Sequence, residues 1–208
     1  ENGVERVMIT DFGLARAVDD ASMTRSGVIA GTPQYMSPEQ AEMSGLDVDT
    51  RSDIYSLGVL LYELLTGTTP LEGKRIHTAG FAEMQRMIKE DQPPKPSTRV
   101  SGSSDHGTSV AALRGVTADG LSRSLRGELD WVVMKALEKD RNRRYETASS
   151  LSADVGRYLN SEPISAGPPS TLYRLQKFAQ RNKATVISGS LVAASLLAGL
   201  CLATLGYV

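Results

Sequence analysis

Asp11 follows the short apolar run Val7-Met8-Ile9 and leads directly into Phe12 and Gly13. The run reads as a buried strand that delivers an acid to a loop. From its surroundings alone, that acid is either a ligand for chemistry or an ordinary acidic turn residue. Beyond it, residues 14–30 are polar and small, with Ser22, Thr24 and Ser26 spaced two apart. Each is a candidate phosphorylation site, because a phosphate adds about two negative charges that can order a loop by pairing with arginine. The bland reading of the same hydroxyls is loop solubility. His77 and His106 stand without acidic or cysteine partners at ligand spacing, and the single Cys201 excludes an internal disulfide or a cysteine zinc site.

The elements that must position these residues are mostly helical. Ser37 as cap, Pro38 at the first helical position and Glu39-Gln40 behind them start a short helix. Residues 52–65 are apolar on nearly every face and stop at Gly67, which predicts a central, buried helix. A weaker amphipathic helix is expected over 81–90, ended by Pro93-Pro94-Lys95-Pro96. Residues 97–124 are rich in Ser, Gly and Thr and read as an inserted flexible loop. Helices are expected again over 129–137 and 148–159, followed by a Pro/Gly linker over 162–169 and a basic amphipathic stretch over 172–181.

Three blocks now stand in order: Asp11-Phe12-Gly13; Gly31-Thr32-Pro33-Gln34-Tyr35-Met36-Ser37-Pro38-Glu39; and Ser52-Asp53-Ile54-Tyr55-Ser56-Leu57-Gly58-Val59. Together they resemble the C-terminal lobe of bacterial, Hanks-type serine/threonine protein kinases, over about residues 4–159. The 97–124 insert and Leu125-Arg126-Gly127-Glu128-Leu129-Asp130-Trp131 are similar to large membrane kinases of the planctomycete type. The resemblance implies a mainly α, kinase-like C-lobe with ATP and Mg²⁺ as cofactors and protein substrates as partners. It makes Asp11 the Mg²⁺ ligand, with Phe12 and Gly13 completing the cofactor-binding triplet. Thr32 would position the substrate hydroxyl, Glu39 would pair with Arg144, and Asp53 would hold the catalytic loop through its backbone N–H groups. Lys139-Asp140-Arg141-Asn142-Arg143-Arg144-Tyr145 resembles a family turn in which proline usually stands where Arg141 does.

The family's Gly-rich loop, strand lysine and His-Arg-Asp segment have no counterpart in the sequence, which opens at Glu1. The expectation is therefore a fragment lacking the N-lobe and catalytic loop, inactive by itself, from a kinase that transfers the ATP γ-phosphate to Ser or Thr. The alternative is a membrane-tethered interaction module without catalysis.

A formal net charge of -1 gives no bulk argument for a nucleic-acid partner. Residues 184–208 carry no charge and are long enough to cross a hydrocarbon core of ~30 Å as a helix. The expectation is one transmembrane helix, contacting lipid, with the basic flank and the kinase portion on the cytoplasmic side of the cell membrane. Ser195 and Gly199, four apart, leave a homodimer open. The expected organisation is a partial kinase domain over 1–160, a juxtamembrane segment over 161–183 and the span over 184–208.

Overall fold

The computed structural model describes residues 32–42, 48–71, 73–102, 105–168, 170–183, 187–191, 194–196 and 199. Asp11, Phe12, Gly13, Ser22, Thr24 and Ser26 lie outside the described residues. Every regular element among the described residues is helical: α1 (Pro38–Ala41), α2 (Thr50–Thr66), α3 (Gly73–Thr78), α4 (Phe81–Glu90), α5 (Pro96–Ser101), α6 (Asp105–Leu113), α7 (Ala118–Leu125), α8 (Glu128–Ala136), α9 (Ala148–Leu159) and α10 (Thr171–Arg181). Short 3₁₀ turns lie at Pro33–Tyr35 and Arg141–Arg143.

The longest helix, α2, is bounded by local chemistry. The Asp49 carboxylate accepts the Arg51 backbone N–H at 2.8 Å, which caps the start. Gly67 closes the end in the left-handed region at φ 77°, where an L side chain would be strained, and donates its N–H to Glu63 O. Ile54, Tyr55, Val59 and Tyr62 are buried on one side of α2. Ile54 packs with Val132, Ala136, Tyr145, Leu151 and Ile164, while Tyr55, Val59 and Tyr62 pack with Val133 and Leu137. Gly58 makes the α2–α8 approach close, since a Cβ there would lie 2.8 Å from Ala136 Cβ.

Residues 97–124 are not a loop. They lie within three packed helices, α5, α6 and α7, broken by short connections. The buried Asp130 carboxylate accepts the Ser97 N–H at 3.0 Å and the Ser97 hydroxyl at 2.7 Å, while the Ser122 hydroxyl donates to Ser97 O at 2.9 Å. Thr117 caps α7 through Gly120 N–H. Val100, Ala111, Leu121, Leu125 and Leu129 then form a core of their own. Of the hydroxyls that suggested disorder, Thr117 caps a helix and Ser97 and Ser122 are buried donors.

The segment after α9 also packs on the lobe. Fully buried Asp154 accepts the Ser165 N–H at 2.7 Å, the Ser165 hydroxyl at 2.7 Å, the Ala166 N–H at 2.9 Å and the Tyr145 hydroxyl at 3.0 Å. Ile164 is buried beside it.

The expected transmembrane helix over 184–208 is overturned. No helix among the described residues is long and apolar enough to cross a membrane. The single-pass placement and the lipid contact expected from such a span lose their basis with it.

Candidate functional site

The described site residues gather where the segment 32–41 crosses α2. Ser37 and Gln40 form a capping box: the Ser37 hydroxyl accepts the Gln40 N–H at 3.4 Å and Gln40 Oε1 accepts the Ser37 N–H at 3.0 Å. Pro38 at the first helical position removes a donor that the helix could not use. These two local devices turn the next side chain, Glu39, inward.

The Glu39 carboxylate is met by Arg144, 105 residues away, through a two-pronged contact: Nη1 to Oε1 at 2.6 Å and Nη2 to Oε2 at 2.8 Å. The Ser52 hydroxyl on α2 donates to the same Oε1 at 2.7 Å. Arg144 spends its remaining N–H groups on three backbone carbonyls, of Glu138 at 2.7 Å, Arg51 at 3.0 Å and Lys139 at 3.2 Å. All five guanidinium donors therefore have an acceptor. Burial by itself would push the Glu39 carboxyl up, but the bonds from Arg144 and Ser52 outweigh it and hold the carboxyl below its ordinary value. The Arg144 guanidinium also lies 5.0 Å from the centre of the Tyr55 ring.

Two groups that sequence reasoning missed complete this anchor. Lys139 donates to Ile88 O at 2.6 Å and sits over the Tyr55 ring, tying α4 to α2. Burial pulls its ammonium down to about 8, with Asp91 opposing and Arg144 adding to the shift. Tyr35 is the other. Its hydroxyl donates to the Glu63 carboxylate, and its carbonyl accepts the Ser56 hydroxyl at 2.8 Å. The Glu63 bond, burial and the Glu63 charge push the Tyr35 phenol up to about 12. No spacing rule links residue 35 to 63 or 139 to 88, so no local signal could have found them.

The segment from Thr32 to Glu39 is thus fixed to α2, through Tyr35 at Ser56 and Glu63 and through Glu39 at Ser52. Thr32 itself is exposed, and its side chain makes no capping bond to the turn it precedes. A hydroxyl presented at the edge of a rigid segment can donate to or accept from an incoming group. Asp53 is also exposed, and with Leu57, Leu60 and Leu64 it forms a stripe along α2 at spacings of four, three and four. The three leucines are 41%, 43% and 61% exposed. The central helix is therefore buried on one side only, against the expectation of burial all round.

Among the described residues no group of three His, Cys, Asp or Glu could hold a metal. The metal reading rests on Asp11 alone, outside the described residues.

Residues 1–154 match the family model described as protein kinase domain. The chain is 40% identical over 162 residues to the serine/threonine-protein kinase PknB of Mycobacterium tuberculosis, covering 77% of this chain and 21% of that protein. It is 38% identical over 161 residues to PknB of Mycobacterium leprae, with 77% and 21% covered. It is 40% identical over 169 residues to a probable serine/threonine-protein kinase PknB of Bifidobacterium longum, with 80% and 20% covered. The chain spans about a fifth of the length of these curated relatives.

Proposed function

This chain belongs to the protein kinase domain family, and from that premise we propose that it is the substrate-side portion of a serine/threonine protein kinase, which transfers the γ-phosphate of ATP to Ser or Thr hydroxyls of proteins. The observation that carries the reading is the anchor at Glu39, Arg144 and Ser52, which together with the Tyr35 bonds to Ser56 and Glu63 fixes the segment from Thr32 to Glu39 on α2 and leaves Thr32 exposed.

In this reading the Thr32 hydroxyl orients the acceptor hydroxyl by hydrogen bonding, and the anchor keeps it from drifting. Positioning of this kind is a large part of phosphoryl-transfer catalysis, because the transition state asks for little covalent chemistry from the protein. Mg²⁺ bound with ATP would neutralise charge on the phosphate oxygens, and Asp11, in the triplet with Phe12 and Gly13, would be the residue that holds it. The base that takes the acceptor proton comes from a catalytic segment of the whole protein. That segment lies along the exposed stripe of α2, with Asp53 accepting its backbone N–H groups and Leu57, Leu60 and Leu64 under its apolar residues. Ser22, Thr24 and Ser26 are the sites at which phosphorylation orders the preceding loop.

The test is a phosphotransfer assay on the whole protein with labelled ATP and a Ser/Thr peptide. Thr32→Val should lower kcat by roughly tenfold at unchanged Tm, and Asp11→Asn by roughly a thousandfold. A whole protein that binds peptide but transfers no phosphate would overturn the reading in favour of a non-catalytic binding module.

A further inference from the structure

The helix α10 is attached to the lobe by one face only. The Tyr173 ring meets Trp131 edge-on at 5.7 Å, and its hydroxyl donates to the Glu128 carboxylate and accepts the Ile164 N–H at 3.1 Å. One turn on, Lys177 pairs with the same Glu128 at 2.7 Å, with both side chains 13% exposed. These contacts fix the rotation of the helix about its axis. At 100° per residue, Leu172, Leu175 and Ala179 then fall on the side away from Tyr173 and Lys177, with Phe178 at its margin. Accordingly Leu172 is 73%, Leu175 62% and Phe178 51% exposed. An amphipathic helix ordinarily turns such a stripe toward the protein. Here the polar face is docked and the apolar stripe is presented outward.

The charge around the stripe has one sign. Arg174 and Arg181 border it on one side, and Lys183 follows the helix. Arg174 makes no ion pair among the described residues, and Arg181 reaches only Glu162, at 3.4 Å, with both side chains about half exposed. No Asp or Glu occurs in the sequence after Glu162, while Arg174, Lys177, Arg181 and Lys183 all do. Between α10 and the turn at Ser161 and Pro163 lies an open groove of about 490 Å³, lined by Leu175 and Phe178 together with Arg174, Lys177 and Arg181. Apolar side chains beside guanidinium groups match the boundary between acyl chains and anionic headgroups, where the two chemistries meet within one side-chain length.

We infer that α10 is a docking surface for an anionic lipid bilayer, lying in the headgroup plane with Leu172, Leu175 and Phe178 inserted and Arg174 and Arg181 paired with lipid phosphate or carboxylate. This is attachment to a surface, independent of the phosphotransfer reading. The docked face at Tyr173 and Lys177 holds the lobe at a set orientation to that surface. Two weak contributions combine: the apolar stripe partitions and the cations attract, so binding requires anionic lipid and weakens with salt.

The test is co-sedimentation of the full chain with vesicles of phosphatidylcholine containing phosphatidylserine, against vesicles of phosphatidylcholine alone, at low and high salt. The expected result is binding to the anionic vesicles that falls at least tenfold in high salt, in Leu175→Glu/Phe178→Glu and in Arg174→Glu/Arg181→Glu. The substituted side chains are exposed, so these variants should keep the wild-type Tm, which is measured alongside. Equal binding to neutral and anionic vesicles, or binding unchanged by both double substitutions, would assign the contact to residues outside α10 and overturn the inference. Lipid-free self-association abolished by Leu175→Glu/Phe178→Glu, with no vesicle binding, would overturn it in favour of a second copy of this chain.

Discussion

Removing Arg144 should cost this lobe much of its stability, and the size of the loss follows from the geometry. The Arg144 side chain is 0% exposed and its partner Glu39 8%. Arg144→Ala deletes both bonds to the carboxylate and the donors to the carbonyls of Arg51, Glu138 and Lys139. The Ser52 hydroxyl remains as a neutral donor to Glu39. A stranded buried charge of this kind costs about 3–5 kcal/mol, against a total of about 5–15 kcal/mol for a typical domain. At ~2–4 °C per kcal/mol for a chain of this size, Tm should fall by ~6–20 °C.

The assay is thermal or urea unfolding followed by circular dichroism, on wild type and Arg144→Ala at a series of pH values. With Arg144 present the Glu39 carboxyl is held below its unfolded value, so its contribution is present above that value and is lost as pH falls through the folded one. With Arg144 gone, burial dominates and raises the carboxyl. That group then contributes stability only below its unfolded value and loses it as pH rises. Both shifts act in the same direction, so the deficit of the variant should be largest near neutral pH and narrow as Glu39 is protonated. Glu39→Met/Arg144→Met, which removes both charges and keeps apolar volume, should recover a large part of the loss. A Tm within ~2 °C of wild type at neutral pH, or a deficit independent of pH, would refute the stranded-charge argument.

Gly58→Ala tests the close contact of α2 with α8. In an uncrowded helix the change would stabilise by about 1 kcal/mol, but here the new Cβ meets Ala136 Cβ at 2.8 Å, so a net loss of about 1–3 kcal/mol is expected in urea unfolding, and a gain would contradict the packing. Asp154 should give an acid-dependent term: although burial opposes it, bonds from Ser165, Arg157 and Ala166 bring its carboxyl down to about 2. The resulting roughly 2 kcal/mol is present above the unfolded value near 4 and is lost as pH falls toward 2. The stability difference between wild type and Asp154→Asn should therefore shrink over that range, and a constant difference would show that the carboxylate charge plays no part.

Much of the helical framework was legible because it is written in short-range signals. Ser37, Pro38 and Gln40 are contiguous with the helix they start, Gly67 follows the helix it ends, and the amphipathic patterns over 81–90, 148–159 and 172–181 lie where α4, α9 and α10 form. The partnership of Glu39 with Arg144 was legible only through the family resemblance, since 105 residues separate them. The helices α5 to α7 were not legible. Their buried residues, Val100, Ala111, Leu121 and Leu125, are distributed over three short pieces, and only α7 carries the helical spacing, at Ala118, Leu121 and Leu125, a run too short to stand out among the surrounding Ser, Gly and Thr.

By itself the sequence determined which segments are helical at their caps, where the basic and acid-free end begins, and which motifs could do chemistry. These follow from side chains acting on backbone groups within about four residues. The tertiary structure alone decided that Ser97 and Ser122 are buried donors, that Asp154 accepts from Ser165 and Ala166, that Leu57, Leu60 and Leu64 remain exposed and that α10 docks by its polar face. Each depends on which surface reaches which partner. Burial and desolvation are properties of elements brought together from far apart in the chain, and a one-dimensional pattern records only that a residue is apolar, not what covers it.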